Sequence, residues 1–377
     1  MNRALLAPAT ALLAAAVLAA CGDGRPDRPA GAASDPRDQR IARFLDATVP
    51  RGASGSVVVA RDGEMVHCEG FGLADREARV AAGCDTVYDV GSITKQFTAA
   101  AILKLEMMGE LEVTDRIGEH LGRVPRAKRR ITLHQLLTHT SGLVEGLGDD
   151  YERQTRASVL SAALDSRLHA RPGAEYAYSN VGYSVLAAIV ERASGMGYEQ
   201  FLARHLFAPA RMTQTGYVLP GWRPDRVAVE YGPAGRPQGR PFDHPWADDG
   251  PFWNLRGNGG LLSTARDMFR WHVALEGDEV LDRRAKRKLF EPHVLEEPGG
   301  RSSYGYGWVI LRSPEGRIAW HNGGNGWSYG EVLRLPGKGA MVFWITNQTK
   351  DRRRGWSVRG FGPALTEGLA DRALDGR

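Results

Sequence analysis

The sequence has little of what a metal enzyme or a nucleic-acid-binding protein needs. Its 377 residues include three cysteines and ten scattered histidines, and neither His-Glu-x-x-His nor His-x-His occurs. Because a zinc hydrolase needs several such ligands at regular spacing, we expect no metal and no other cofactor. The formal net charge is only +5, with basic residues interspersed among acids and without interleaved aromatic residues. We therefore expect no nucleic-acid partner.

The chain does contain enough apolar residues for a folded core. Its hydrophobic fraction of 42% is that of an ordinary globular protein, and its length suits one large domain. Disorder is therefore excluded as the main state of the chain.

The first 20 residues have the composition of a secretory signal, because an apolar run follows Arg3 and extends to Ala20. Pro8 interrupts this run, which disfavours a helix that spans a membrane. Leu-Ala-Ala at positions 18–20 is followed by Cys21 and resembles the lipobox of bacterial lipoproteins. The resemblance implies an exported chain that is lipidated at Cys21 and held in the cell envelope, facing the periplasm. An unmodified Cys21 at an ordinary cleavage site is the alternative, and the choice of inner or outer membrane stays open.

Residues 22–40 are rich in Gly, Pro, Asp and Arg, and we expect them to form a flexible tether, so that the folded domain spans 41–377. In an oxidising compartment, Cys68 and Cys84 form either a disulfide or two unpaired buried thiols. The sequence leaves both possibilities open because it does not show whether the side chains meet.

Strand-like patterns occur near both ends of the chain and helical patterns between them. Residues 55–71 predict a hairpin with its turn at 61–64. Further strands are predicted at 306–311, 317–321, 330–335 and 340–346, and helices at 93–105, 181–193, 198–206 and 358–373. We therefore expect an α+β fold, in which an antiparallel sheet built from both chain ends is flanked by helices. A mainly helical subregion is inserted at about 92–290.

Ser92 and Lys95 are the first candidates for chemistry. They stand three positions apart in Ser-Ile-Thr-Lys, at the expected start of a helix. Side chains at this spacing share one helix face, and the N-terminus of a helix stabilises developing negative charge. A serine nucleophile beside a lysine activator fits this pattern, and so does a capping serine with a solvated lysine.

Two further segments supply polar groups. Tyr178-Ser179-Asn180 contains the only Tyr-x-Asn in the sequence and directly precedes a predicted helix. His321-Asn322-Gly323-Gly324 ends a predicted strand and leads into a glycine-rich turn. Its glycines allow backbone N–H groups to approach a reacting carbonyl closely, as an oxyanion hole requires.

Together these motifs resemble the family of class C β-lactamases, D-alanyl-D-alanine carboxypeptidases and related esterases, the penicillin-recognising serine hydrolases. The resemblance extends over nearly all of residues 41–377. Segments 90–95, 136–143 and 259–264 are also typical of that family. It implies a β-lactamase/transpeptidase-like fold and a serine hydrolase that works through an acyl-enzyme. We expect segment 136–143 to be a structural turn, and we assign no catalytic role to His139.

The resemblance also implies a role for each motif residue. Ser92 would be acylated, and Lys95 and Tyr178 would move its proton. The side chain of Asn180 would hold the substrate. The backbone N–H groups of Ser92 and Gly324 would hold the oxyanion, with His321 and Asn322 lining the opposite wall, and Gly323 is also expected among the substrate-binding residues. Because lysine and tyrosine both titrate near pH 10 when free, they would act as a coupled pair, and which one is the base stays open.

One position departs from the family pattern. The β-lactamases and peptidases commonly have Lys-Thr-Gly where this chain has His321-Asn322-Gly323. A histidine is mostly neutral at pH 7, so recognition of a substrate carboxylate is in doubt. The substrate therefore stays open among an ester, a D-amino-acid peptide or other peptidoglycan-like molecule, and a β-lactam.

Two competing interpretations remain. Gly-Trp-Ser-Tyr-Gly at 326–330 matches the nucleophile elbow of α/β-hydrolases, but a strand pattern follows Ser328 where an elbow needs a helix. The other is an inactive envelope-anchored binding protein of the same fold, which the presence of Ser92, Lys95 and Tyr178 disfavours. A monomer is expected in either case.

Overall fold

An eight-stranded antiparallel sheet forms the centre of the protein, in the strand order β2-β1-β8-β7-β6-β5-β4-β3. The computed structural model describes residues 36–374, and all of them lie in one compact unit. The strands are β1 Gly55–Arg61, β2 Glu64–Phe71, β3 Val294–Leu295, β4 Ser302–Tyr304, β5 Val309–Ser313, β6 Gly316–Gly324, β7 Tyr329–Leu335 and β8 Ala340–Thr346. Because β1 pairs with β8, the two ends of the chain meet in one sheet, which confirms the expected fold class.

Ten α-helices surround this sheet in the described part of the chain. They are α1 Pro36–Thr48, α2 Lys95–Met108, α3 Ile117–Leu121, α4 Leu133–Leu137, α5 Arg156–Asp165, α6 Asn180–Ser194, α7 Tyr198–Leu202, α8 Ala265–Glu276, α9 Arg283–Leu289 and α10 Val358–Leu374. Most of the helices lie between β2 and β3 in the sequence, as expected for an inserted, mainly helical subregion. None of the helices in residues 36–374 is long and apolar enough to cross a membrane.

Both faces of the sheet are buried. In β8, Phe343 and Ile345 face the large core that contains α2 and α6, whereas Val342 and Trp344 face α1 and α10. This alternation follows from the two-residue period of a strand. Burial of one such side chain stabilises the fold by about 2 kcal/mol, so packing on both faces fixes β8 at the centre of the protein.

Three details differ from the sequence-based expectations or complete them. Helix α1 begins at Pro36, so residues 36–40 of the expected tether are helical, and α1 packs on α10 through Ile41. Strand β5 begins at Val309 instead of residue 306, because Gly307 lies against the backbone of Lys95 with a φ of 73°. Cys68 and Cys84 form a disulfide, which settles the alternative left open by the sequence.

Candidate active site

Ser92 lies in a tight turn that leads directly into α2. Residues Gly91–Thr94 form a single 3₁₀ turn, and Lys95 begins the helix. Gly91 has a φ of 52°, and a Cβ atom there would come within 2.1 Å of the Gly324 backbone nitrogen. Only glycine fits this conformation and this close approach. The end of β6 is thereby brought beside the turn that carries Ser92.

The Lys95 side chain is fully buried and has three hydrogen-bond partners. Its Nζ lies 3.0 Å from Ser92 Oγ, 2.8 Å from Asn180 Oδ1 and 2.8 Å from the Asn258 carbonyl oxygen. Burial lowers the pKa of Lys95 well below its usual range, and nearby acidic side chains offset only part of this effect. A neutral amine can donate to the two Asn oxygens and accept the Ser92 hydroxyl proton.

Tyr178 and Asn180 are placed by the start of α6. Ser179 caps this helix, since its Oγ accepts the Gly182 N–H at 3.0 Å. The Tyr178 ring lies 4.8 Å from Lys95 Nζ. Burial raises the pKa of Tyr178, and its interaction with the Ser92 side chain opposes this rise. Both groups of the expected pair are therefore shifted toward their neutral forms, an amine and a phenol.

His139 supports this loop from behind. Its Nδ1 accepts the Ser179 N–H at 3.0 Å, and its ring lies 4.3 Å from the Tyr178 ring. Burial and the neighbouring Lys95 lower the pKa of His139 well below its usual range, so the ring is neutral. The segment 136–143 thus contains a structural turn near the site, and its histidine holds the Tyr178 loop.

The glycine-rich end of β6 packs backbone against backbone on the Ser92 turn. A Cβ atom on Gly323 would lie 2.0 Å from the Val90 carbonyl oxygen and 2.8 Å from the Ser92 nitrogen. Gly324 follows, with its nitrogen beside Gly91. The backbone N–H groups of Ser92 and Gly324 are the two donors expected for an oxyanion hole, and the structure brings their segments together.

His321 lies on the site face of β6 and is buried. Burial, followed by the charge of Lys95, lowers the pKa of His321 to about 3. Its Nδ1 donates to the Asn322 carbonyl oxygen at 2.5 Å, so Nε2 accepts the Tyr304 hydroxyl proton at 3.0 Å. His321 is therefore a neutral side chain, with both ring nitrogens already bonded.

One predicted residue, Asn322, has its side chain outside this group, and another, Cys21, lies outside the described part of the chain. Alternation along β6 directs the Asn322 side chain away from the His321 face, and Asn322 Nδ2 donates to the Tyr329 hydroxyl at 3.3 Å. The wall that contains His321 therefore lacks the Asn322 side chain, and Gly323 lies against the Ser92 turn.

Sequence reasoning missed two contributors to the site, Asn258 and Tyr304. Asn258 supplies a carbonyl oxygen to Lys95 and directly precedes the family-like segment 259–264, which was a usable signal. Tyr304 bonds His321 from β4, and no local motif marks it.

Ser328, the competing nucleophile, is already hydrogen-bonded to another side chain. Ser328 is buried, donates to Glu230 Oε1 at 2.6 Å and is followed by β7 instead of a helix. Residues 36–374 contain no group of three or more His, Cys, Asp or Glu side chains that could hold a metal ion.

Comparison with known proteins places this geometry in a family. The model of the Beta-lactamase family matches residues 38–359. "Penicillin-binding protein 4*" of Bacillus subtilis is 29% identical over 316 residues, covering 79% of this chain and 69% of the relative. The "Putative penicillin-binding protein PbpX" of B. subtilis is 32% identical over 277 residues, covering 73% of this chain and 66% of the relative. The matches thus span about two thirds of the length of these relatives.

A solved structure agrees with these matches. The octameric penicillin-binding protein homologue from Pyrococcus abyssi superposes with a TM-score of 0.72 and 25% identity, over 88% of this chain and 77% of that chain. The chain belongs to the Beta-lactamase family, with the fold shared by serine β-lactamases and penicillin-binding proteins.

Proposed function

We propose that this protein is a serine hydrolase that forms an acyl-enzyme at Ser92 and acts on carbonyl substrates without a carboxylate near the reacting group, namely esters or D-amino-acid peptides whose C-terminus is blocked. Family membership supports a serine hydrolase in general terms. The observation that carries the proposal is the buried Lys95 amine 3.0 Å from Ser92 Oγ. A solvated lysine would be a cation and could not accept a proton.

The reaction begins when neutral Lys95 accepts the Ser92 hydroxyl proton as Oγ attacks the substrate carbonyl. The oxygen of the tetrahedral intermediate receives hydrogen bonds from the Ser92 and Gly324 N–H groups. When the intermediate collapses, the leaving group takes the phenolic proton of Tyr178, and the Lys95 ammonium stabilises the resulting phenolate and returns a proton to it. In deacylation, water attacks the acyl-enzyme and gives a proton to Lys95. Ser92 then leaves and takes the phenolic proton of Tyr178, which Lys95 replaces.

The preference for substrates without a carboxylate rests on the charges around the site. His321 is neutral at the position where the β-lactamases and peptidases commonly carry a lysine. Asp150 and Glu145 lie close enough to raise the pKa of Lys95 against the effect of burial. A substrate carboxylate would therefore meet carboxylates without a compensating cation from His321, which disfavours β-lactams and peptides bound through a free C-terminus.

Intact-mass spectrometry tests this function. The protein is incubated with a p-nitrophenyl ester, an N-acylated D-Ala-D-Ala peptide, the amide of that peptide and a fluorescent penicillin. We expect ester turnover with a transient adduct, faster hydrolysis of the peptide amide than of the free acid, and a weak penicillin adduct. Ser92→Ala should remove every adduct. An adduct that persists in Ser92→Ala contradicts the mechanism, and inertness toward all four probes favours the envelope-anchored binding protein.

We further propose that the mature protein is held in the cell envelope by a lipid on Cys21. The support is the sequence before Cys21 alone. Metabolic labelling with a palmitate analogue should mark the wild-type chain and not Cys21→Ser, and the variant should move to the soluble fraction. Equal labelling of both chains contradicts the anchor.

A further inference from the structure

A cluster of hydrogen-bonded polar side chains contacts the turn that carries Ser92, and the proposed reaction does not use it. At its centre, Asn325 Nδ2 donates to Asp89 Oδ2 at 3.0 Å and to Glu230 Oε1 at 2.8 Å. Asp89 and Glu230 are 4% and 1% exposed. Burial of two carboxyl groups bridged by one amide costs free energy, so we expect them to have a role at this place.

One side of the cluster is bonded to the Ser92 turn. Asp89 pairs with Leu262 in a short two-stranded ladder just before the turn. Its Oδ1 accepts the Gly91 N–H at 2.7 Å, and Gly91 is the residue directly before Ser92. This bond fixes the backbone nitrogen of Gly91, and thereby the start of the turn that carries Ser92.

The other side is bonded to the turn after β6. Asn325 directly follows Gly324, and its Oδ1 accepts the N–H groups of Trp327 and Ser328 at 2.8 Å and 2.7 Å. Ser328 Oγ donates to Glu230 Oε1 at 2.6 Å. The serine of the Gly-x-Ser-x-Gly pattern is therefore an anchor for this turn.

We propose that Asp89 and Glu230, joined through Asn325, are positioning residues that fix the spacing between the oxyanion-hole N–H groups of Ser92 and Gly324. The inference rests on the proposed acyl transfer at Ser92. Two short segments that are distant in the sequence must hold their donors about 3 Å from one developing oxyanion. Asn325 and its two carboxylates form a hydrogen-bonded bridge between those segments.

The protonation state of Asp89 controls the bridge. The titratable groups around it are Glu230, Asp150 and Tyr151, with His244 on the far side, where its Nε2 lies 2.8 Å from Glu230 Oε2. Burial, followed by the negative charge of Glu230, raises the pKa of Asp89 to about 7. Both Asp89 oxygens accept N–H bonds, and protonation of Asp89 removes the charge that strengthens the bonds to Gly91 and to Asn325.

Two effects of the Asp89 charge oppose each other. A negative charge near an oxyanion disfavours the transition state, whereas the bonds that this charge accepts hold the donors in place. The Gly91 and Asn325 N–H groups already offset the charge locally, so the positioning effect should be larger. Acylation should then be slower when Asp89 is protonated.

Single-turnover acylation by a p-nitrophenyl ester between pH 5 and 9 tests this inference. Glu230→Gln retains an oxygen for Asn325 and Ser328 but removes the charge beside Asp89. We expect the acid limb of the rate to move to lower pH by about one unit. Glu297→Gln is the matched control, because Glu297 is exposed, and its profile should coincide with wild type. Coincidence of the Glu230→Gln and wild-type profiles would overturn the inference.

Asp89→Asn provides a second readout. Its oxygen can still accept from Gly91, but its amide N–H would face the Asn325 amide. We expect kcat to fall about tenfold, less than the 10²–10³-fold loss for a deleted donor, with KM nearly unchanged and no limb near pH 7. An Asp89→Asn protein as fast as wild type, or faster, would overturn the inference, because the charge effect would then exceed the positioning effect.

A failure of the proposed function can be distinguished from a failure of this inference. If the wild-type protein forms no acyl-enzyme with any ester at pH 8, the proposed function fails. Melting temperatures then decide whether the charges of Asp89 and Glu230 are coupled. Glu230→Gln relieves repulsion only while Asp89 is ionised, so it should melt higher than wild type at pH 8 and not at pH 5. An equal difference in melting temperature between Glu230→Gln and wild type at pH 8 and at pH 5 would overturn the inference.

Discussion

The Tyr304 hydroxyl donates to His321 Nε2 at 3.0 Å and thereby fixes this ring as a neutral hydrogen-bond acceptor. Tyr304 comes from β4 and His321 from β6, so the contact crosses β5. This bond, together with the burial of His321, makes the site wall uncharged where the family pattern has a cation.

Restoring that cation should change the substrate preference. His321→Lys places an ammonium where the Tyr304 oxygen can accept from it. We expect acylation by a penicillin to increase about tenfold, because a charge-assisted hydrogen bond to the carboxylate contributes about 1.5 kcal/mol. The methyl ester of the same penicillin is the control and should gain little. Equal gains for the acid and its ester would mean that charge is not the cause.

Removing the Lys95 amine should slow acylation. Lys95→Ala eliminates the proton acceptor beside Ser92, and general-base catalysis contributes about 10²–10⁴-fold. Stopped-flow release of p-nitrophenol measures the acylation rate directly. Lys338→Ala removes an exposed lysine and should behave as wild type. If Lys95→Ala retains most of the acylation rate, another group takes the Ser92 proton.

Acid should destabilise the fold through two buried histidines. Burial lowers the pKa of both His321 and His272 to about 3, whereas an unfolded histidine titrates near 6.5. Below pH 6.5 the unfolded chain therefore binds more protons, and stability falls as pH falls toward 3. Each histidine should lower the free energy of unfolding by about 2 kcal/mol between pH 6.5 and 5.

Urea unfolding at these two pH values measures that change, and His321→Gln should abolish the part due to His321. Asp89 acts in the opposite direction, because its pKa is raised to about 7, so its protonation favours the folded state as pH falls through 7. A free energy of unfolding with the same pH dependence in wild type and His321→Gln would contradict the neutral assignment of His321.

Loss of the disulfide should affect stability more than catalysis. Cys68 lies in β2, an edge strand, and three strands separate β2 from β6 in the sheet. Opening the bridge releases a loop with a sequence separation of 16 and should cost about 3 kcal/mol. We expect Cys68→Ser/Cys84→Ser to unfold at lower urea concentration, with ester turnover at 25 °C close to that of wild type. A large loss of kcat in the folded variant would contradict this prediction, because it would mean that the disulfide supports the geometry of the active site.

The local pattern was sufficient for much of the fold. The hairpin at 55–71, strand β8 and helices α2, α6 and α10 were predictable because alternation and helical spacing follow directly from which residues avoid water. Strand β5 was misplaced because Gly307 makes a close backbone contact with α2, and a contact between distant segments leaves no periodic signal.

The candidate site divides in the same way. The sequence alone determined the motif residues and their order, including Ser92, Lys95, Tyr178 and His321, because each motif is a short run of the chain. Only the tertiary structure decided that Asn322 faces away from the site and that Tyr304 and Asn258 complete it. It also decided the charge state of Lys95 and His321, because a pKa depends on burial and on neighbours that the fold brings together.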